Sequence, residues 1–194
     1  MWSSSCGSGF SRDHESPYLR IRFCPIPSFA PRTHHPRMPR GSAALRTGRH
    51  SRAGQRYLVT FTTAHRRAIF LDPLIARDTC RWLSAPAAWG DASLLAWVLM
   101  PDHWHGILQL GGRSTLSTVV GQAKGRVARG IRVLHPHIEM VWQAGFHDRA
   151  LRSDADLLPA ARYVVANPLR AGLVCRIGNY PYWDCQWLDS PDRG

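Results

Sequence analysis

Residues 56–63, RYLVTFTT, set β-branched and aromatic side chains in partial alternation with polar ones, which predicts a strand. From Asp72 to about Ala88 the spacing predicts a helix, with Pro73 in its first turn, where a missing amide costs nothing. The run LLAWVLM (94–100) is short and continuously apolar, as in a buried strand. Pro101 and Asp102 form a turn into HWHGILQL (103–110), so the two runs predict a hairpin. Gly111 and Gly112 end it. Ser114 is placed to cap a helix reaching about Leu134, whose positions Leu116, Val119, Val120, Ala123, Val127, Ile131 and Leu134 recur at helical spacing. A short strand, FHDRAL (146–151), follows. The last predicted helix starts at Asp154 or Asp156 and runs through Ala166, with Pro168 as its terminator. The order β-α-β-β-α-β-α implies an α+β protein: a ferredoxin-like, RRM-like sandwich with an antiparallel sheet and helices packed on one face.

Residues 1–52 break from this pattern. They are rich in Ser, Pro, Gly and Arg without periodicity, and stretches such as PIPSFAPRTHHPRMPRG cannot build a core. The chain therefore divides into a disordered basic leader (1–52), a folded domain (53–188) and a short tail (189–194). The leader is read as an unstructured extension, Met38 being a possible alternative start, or as a basic arm for DNA.

Charge sharpens the picture. The formal net charge is +12. Residues 1–56 carry 10 basic and 2 acidic residues, a net of +8, and the remainder carries a net of +4. This balance favours polyanionic partners, nucleic acid before an anionic membrane surface. No run approaches the roughly 18 apolar residues of a membrane helix, and no secretory leader is visible, which implies a soluble, cytoplasmic protein associated with the nucleoid. Five cysteines without a CxxC pair imply free thiols and exclude a disulfide framework.

Three groups of residues carry candidate chemistry. His103 and His105 flank Trp104 on a predicted strand, so the two imidazoles share one face and can converge on a cation. By spacing alone, two ordinary histidines are the favoured reading over a metal site. In RYVVANP (162–168), Tyr163 and Asn167 are i and i+4 on one helix face. Asn167 lies at the helix end, where its amide oxygen can reach a metal, and an amphipathic core tyrosine is the alternative for Tyr163. Lys124, Arg126, Arg129 and Arg132, joined by Arg149 and Arg152, form either a solvated face or a phosphate-binding set. No GxxxxGK loop is present, so no nucleotide cofactor is implied.

Taken together, VLMPDHWHGILQL, VWQAGFHDRALR, ARYVVANPLRAGLV and the opening YLVTFTTAHRRAIF resemble, in order from about 56 to 175, the single-tyrosine HUH transposases and among them the REP-associated tyrosine transposases. The resemblance implies that His103, His105 and Asn167 bind Mg²⁺ or Mn²⁺ and that Tyr163 is the nucleophile. It implies cleavage and rejoining of single-stranded or hairpin DNA through a 5′-phosphotyrosine, by a monomer or homodimer. A catalytically silent nucleic-acid-binding module of the same fold is the alternative. The chain departs from the family pattern at Asp102, where many relatives have Asn, and at Leu58, where the REP-associated group has His. Trp104 and Gly106 stand where aliphatic residues are usual. Trp142, Phe146 and Trp183 are candidates for stacking on bases or, more ordinarily, for core packing.

Overall fold

Strand β1 (Arg56–Thr62) turns Tyr57, Val59 and Phe61 into the core while its even positions stay half-buried, the alternation that a two-faced strand requires. A computed structural model describes residues 52–187; the expected leader up to residue 51 and the tail from 189 lie outside the described residues. Helix α1 (Pro73–Ser84) begins where the Asp72 carboxylate accepts from the Leu74 and Ile75 amides, and it ends before a short 3₁₀ turn at Pro86–Ala88. The predicted helix to Ala88 is thus split, because Pro86 cannot supply an amide to a continuing helix.

Strands β2 (Ser93–Met100) and β3 (His103–Gln109) form the expected hairpin, with Met100 opposite His103 across Pro101 and Asp102. The turn is fastened to the neighbouring strand: the Thr63 amide and hydroxyl both donate to the Asp102 carbonyl, at 2.9 and 3.0 Å. Helix α2 (Leu116–Leu134) buries the predicted stripe from Leu116 to Ile131, while Leu134 is exposed. Its cap is Thr115, which accepts from the Thr118 amide, rather than Ser114. Strand β4 (His147–Leu151) pairs with β1.

The sheet order is β4-β1-β3-β2, all antiparallel, with a further short strand β5 (Trp183–Cys185) beside β2. Strand β3 thus lies between β1 and β2, the split β-α-β arrangement of the ferredoxin-like class. β5 was not expected: three residues are too few to show a period.

Two faces follow from the register. Phe61 opposes Trp104 and Thr60 opposes His105, so aromatic and polar side chains leave the sheet on opposite sides. On the aromatic face Phe61 stacks on Trp104 at 4.8 Å, Trp89 tilts against Trp104 at 5.1 Å, and Trp142 meets Phe61 edge-on. Helices α1 and α2 cover this face and pack on each other through Trp82 and Gly130. The other face, which carries His105, is crossed by α3 (Leu157–Val165), so the helical layer expected on one face holds α1 and α2 only. α3 ends at Val165, one residue short of the expected Ala166, but Pro168 does not end helical structure altogether. It is buried in the first turn of a short second helix, α4 (Asn167–Arg170), after a break at Ala166.

Candidate active site

β3 delivers both histidines to the face under α3. His103 and His105 are 9% and 8% exposed. Each ring is anchored through Nδ1: His103 to the Asp102 carboxylate at 2.6 Å, and His105 to the Thr60 hydroxyl of the neighbouring strand. Anchoring Nδ1 orients an imidazole, and where the anchor is an acceptor, as the Asp102 carboxylate is for His103, the electron pair is left on Nε2, as in metal sites whose second partner fixes the tautomer. Asp102, the departure noted above, therefore serves as the acceptor for His103 and also pairs with Arg66 at 3.1 Å.

The His105 Nε2 atom is buried and has no hydrogen-bond partner. Burial, and then the nearby His103, push this imidazole down from an ordinary 6.5 to about 4, against a smaller opposing effect from the Val59 backbone. A neutral, oriented imidazole with an unsatisfied nitrogen is suited to binding a cation. Among the described residues no group of three or more His, Cys, Asp or Glu side chains is placed to hold a metal, so further ligands to the pair would be neutral protein oxygens, water or substrate phosphate.

α3 supplies the hydroxyl. Its buried stripe is Ala160, Ala161 and Val164, which turns Tyr163 away from the core; Tyr163 is 45% exposed. The core-tyrosine alternative fails on this number. The Tyr163 ring stands edge-on to the His105 ring, with centroids 5.7 Å apart. Both line a cavity of about 470 Å³, together with Leu58, Thr60, His147 and Arg149.

Asn167 sits at the corner between α3 and α4. Its amide nitrogen donates to the carbonyls of Tyr163 at 3.0 Å and Val164 at 3.1 Å. Pro168 has no amide for the Val164 carbonyl, and the Asn167 side chain supplies that bond instead. Only the oxygen side of this amide remains for any ligand.

The basic residues divide. By register Arg149 opposes Leu58 and shares the His105 face, and it borders both the cavity and an adjoining groove that includes Arg152. Arg126, Arg129 and Arg132 are exposed on α2, beyond the other face of the sheet. Lys124 donates to the Gln143 and Gly145 carbonyls and lies 5.8 Å from the Phe61 ring centroid, so it fastens the loop before β4. Trp142 is buried among Phe61 and Phe70, in the core as its ordinary reading had it. Phe146 and Trp183 are half-buried and pack against the core.

Arg170 was missed by sequence reasoning. Its guanidinium carbon lies 5.2 Å from the Tyr163 ring centroid. Seven residues of separation gave no signal once Pro168 was taken as the end of the helix.

No curated protein matches the sequence. Among solved structures, a REP-associated tyrosine transposase bound to a REP hairpin aligns with a TM-score of 0.55 at 20% identity, covering 70% of this chain and 79% of that one. A putative transposase from Deinococcus radiodurans R1 aligns with a TM-score of 0.46 at 20% identity, over 60% of this chain and 93% of that one. The family profile described as "Transposase IS200 like" matches residues 52–165, more than half of the chain, and this protein belongs to that family of transposases.

Proposed function

We infer that this protein is a metal-dependent transposase that cleaves and rejoins single-stranded DNA through Tyr163. The observation that carries the reading is the Tyr163 ring against the His105 ring in one open cavity, on a sheet whose second histidine is anchored alongside. Hairpin DNA is the proposed substrate, in keeping with the REP hairpin bound by the structural neighbour.

In this reading a single strand enters the cavity with its scissile phosphate between Tyr163 and Arg149. Arg149 offers a fixed guanidinium fork to phosphate oxygens. The phenol oxygen of Tyr163 attacks phosphorus. A bond forms between that oxygen and the 5′-phosphate while the bond to the 3′-oxygen breaks. The phenol's proton passes to water in the open cavity, and the departing 3′-oxygen takes a proton from water to become a 3′-hydroxyl. The covalent link conserves the phosphodiester energy, so a second 3′-hydroxyl can reverse the step and join a new strand. His103 and His105 would hold Mg²⁺ or Mn²⁺, which draws charge from a nonbridging phosphate oxygen when bound. Asp102 and Thr60 keep the two imidazoles oriented for that role. Asn167 joins this ligand set only through its oxygen, its nitrogen being engaged in the helix.

The test is incubation of the full chain with labelled single-stranded hairpin DNA and Mn²⁺. A covalent protein–DNA adduct is expected from the wild type and none from Tyr163→Phe. An adduct in Tyr163→Phe would refute the nucleophile, and undiminished cleavage by the double variant His103→Ala, His105→Ala would refute the metal site. Hairpin binding by the wild type without any adduct would identify a regulatory DNA-binding module instead.

A further inference from the structure

We propose that Arg170 is a positioning residue for the nucleophile, its guanidinium lying over the Tyr163 ring and holding the phenol for attack. The inference rests on the strand-cleavage reading above.

Tyr163 and Arg170 are seven residues apart, about 10 Å along an unbroken helix axis. The chain is not unbroken here. α3 ends at Val165, and α4 restarts at Asn167 with Pro168 buried in its first turn. The corner is held by the Asn167 amide, which bridges the Tyr163 and Val164 carbonyls. The Arg170 amide in turn donates to the Ala166 carbonyl at 3.0 Å, fixing α4 against the corner. The Asn-Pro pair thus builds a rigid bend immediately beyond Tyr163, and Arg170 projects from it over the Tyr163 ring, at 5.2 Å.

A guanidinium over an aromatic face is attracted to the ring's π electrons, more strongly as water is excluded. Tyr163 is 45% exposed and meets His105 only edge-on, so a cation over its face adds a second fixed contact to the ring. Among the described residues the Arg170 guanidinium forms no ion pair. When the phenol oxygen becomes the attacking group, the cation lies over the ring that carries it.

The test separates positioning from phosphate binding. Single-turnover adduct formation on saturating hairpin DNA with Mn²⁺ is measured for the wild type, Arg170→Gln and Arg170→Lys. DNA affinity is measured by fluorescence anisotropy for the same substitutions in a Tyr163→Phe background. Arg170→Gln is expected to slow adduct formation about tenfold, with affinity within about twofold and an unchanged melting temperature. Arg170→Lys, which keeps a cation over the ring, is expected to recover most of the rate. An unchanged rate in Arg170→Gln would overturn the proposal. So would a loss confined to affinity, which would make Arg170 a phosphate contact, or an Arg170→Lys rate as low as that of Arg170→Gln. Absence of adduct from the wild type would sink the strand-cleavage reading itself, and this inference with it.

Discussion

Substituting Gly106 with Ala isolates one packing relation on which the site depends. A Cβ at position 106 would lie 2.5 and 2.6 Å from two indole carbons of Trp104 and 2.9 Å from the Ala96 carbonyl oxygen. None of these neighbours can retreat easily. Trp104 is fully buried, stacked on Phe61 and pressed by Trp89, and the carbonyl belongs to the adjacent strand. Overpacking a filled core costs about 1–3 kcal/mol, and the confinement on every side places this substitution at the upper end. For a domain of this size each kcal/mol corresponds to roughly 3–5 °C, so a fall of about 10 °C in melting temperature is expected. Trp104→Leu alone removes indole volume and leaves a cavity, costing about 2–4 kcal/mol. In the double variant the new methyl enters the vacated space, so the two costs should fall short of their sum by about 1–3 kcal/mol. Urea unfolding of the wild type, both single variants and the double variant completes the cycle. Additive costs, or a Gly106→Ala variant as stable as the wild type, would refute the claim that Trp104 and Gly106 form one complementary pair. The pair also explains why aliphatics are absent from both positions: the indole fills the space that the side chain at 106 would need.

Two further predictions concern the imidazoles. His105 titrates at about 4 in the folded chain against an ordinary 6.5, so in acid the unfolded state takes up its proton first. Its contribution, on the order of 3 kcal/mol, is therefore present above pH 6.5 and lost progressively as the pH falls toward 4. In chelator-treated protein, urea unfolding at pH 7.5 and pH 4.5 should show this loss for the wild type and a smaller one for His105→Gln; equal losses would refute it. Replacing Thr60 with Val removes the hydroxyl that orients His105 while keeping the shape of the side chain. Mn²⁺ affinity measured by calorimetry should fall about 10- to 100-fold, and unchanged affinity would show that the Thr60 contact does not tune the ligand.

Much of this was legible in the chain itself. The alternation in RYLVTFTT, the apolar run before Pro101-Asp102 and the stripe on α2 placed three of the elements to within a few residues, because each is a local pattern. The sharing of one face by His103 and His105 needs only the two-residue repeat of a strand. The reading failed where a second partner decided the outcome. Pro168 does not stop the helical path because the Asn167 side chain replaces the bond that proline removes.

The sequence by itself determined on which elements the candidate side chains ride, since periodicity is a property of neighbouring residues. Only the tertiary structure decided what faces what. It laid α3 across the sheet face opposite α1 and α2, which set Tyr163 beside His105. It separated the α2 arginines from Arg149, gave Lys124 to a loop and brought Arg170 back over the tyrosine ring. Those relations depend on which surface each apolar stripe buries against, and that choice is made by the whole core at once rather than by any local run of residues.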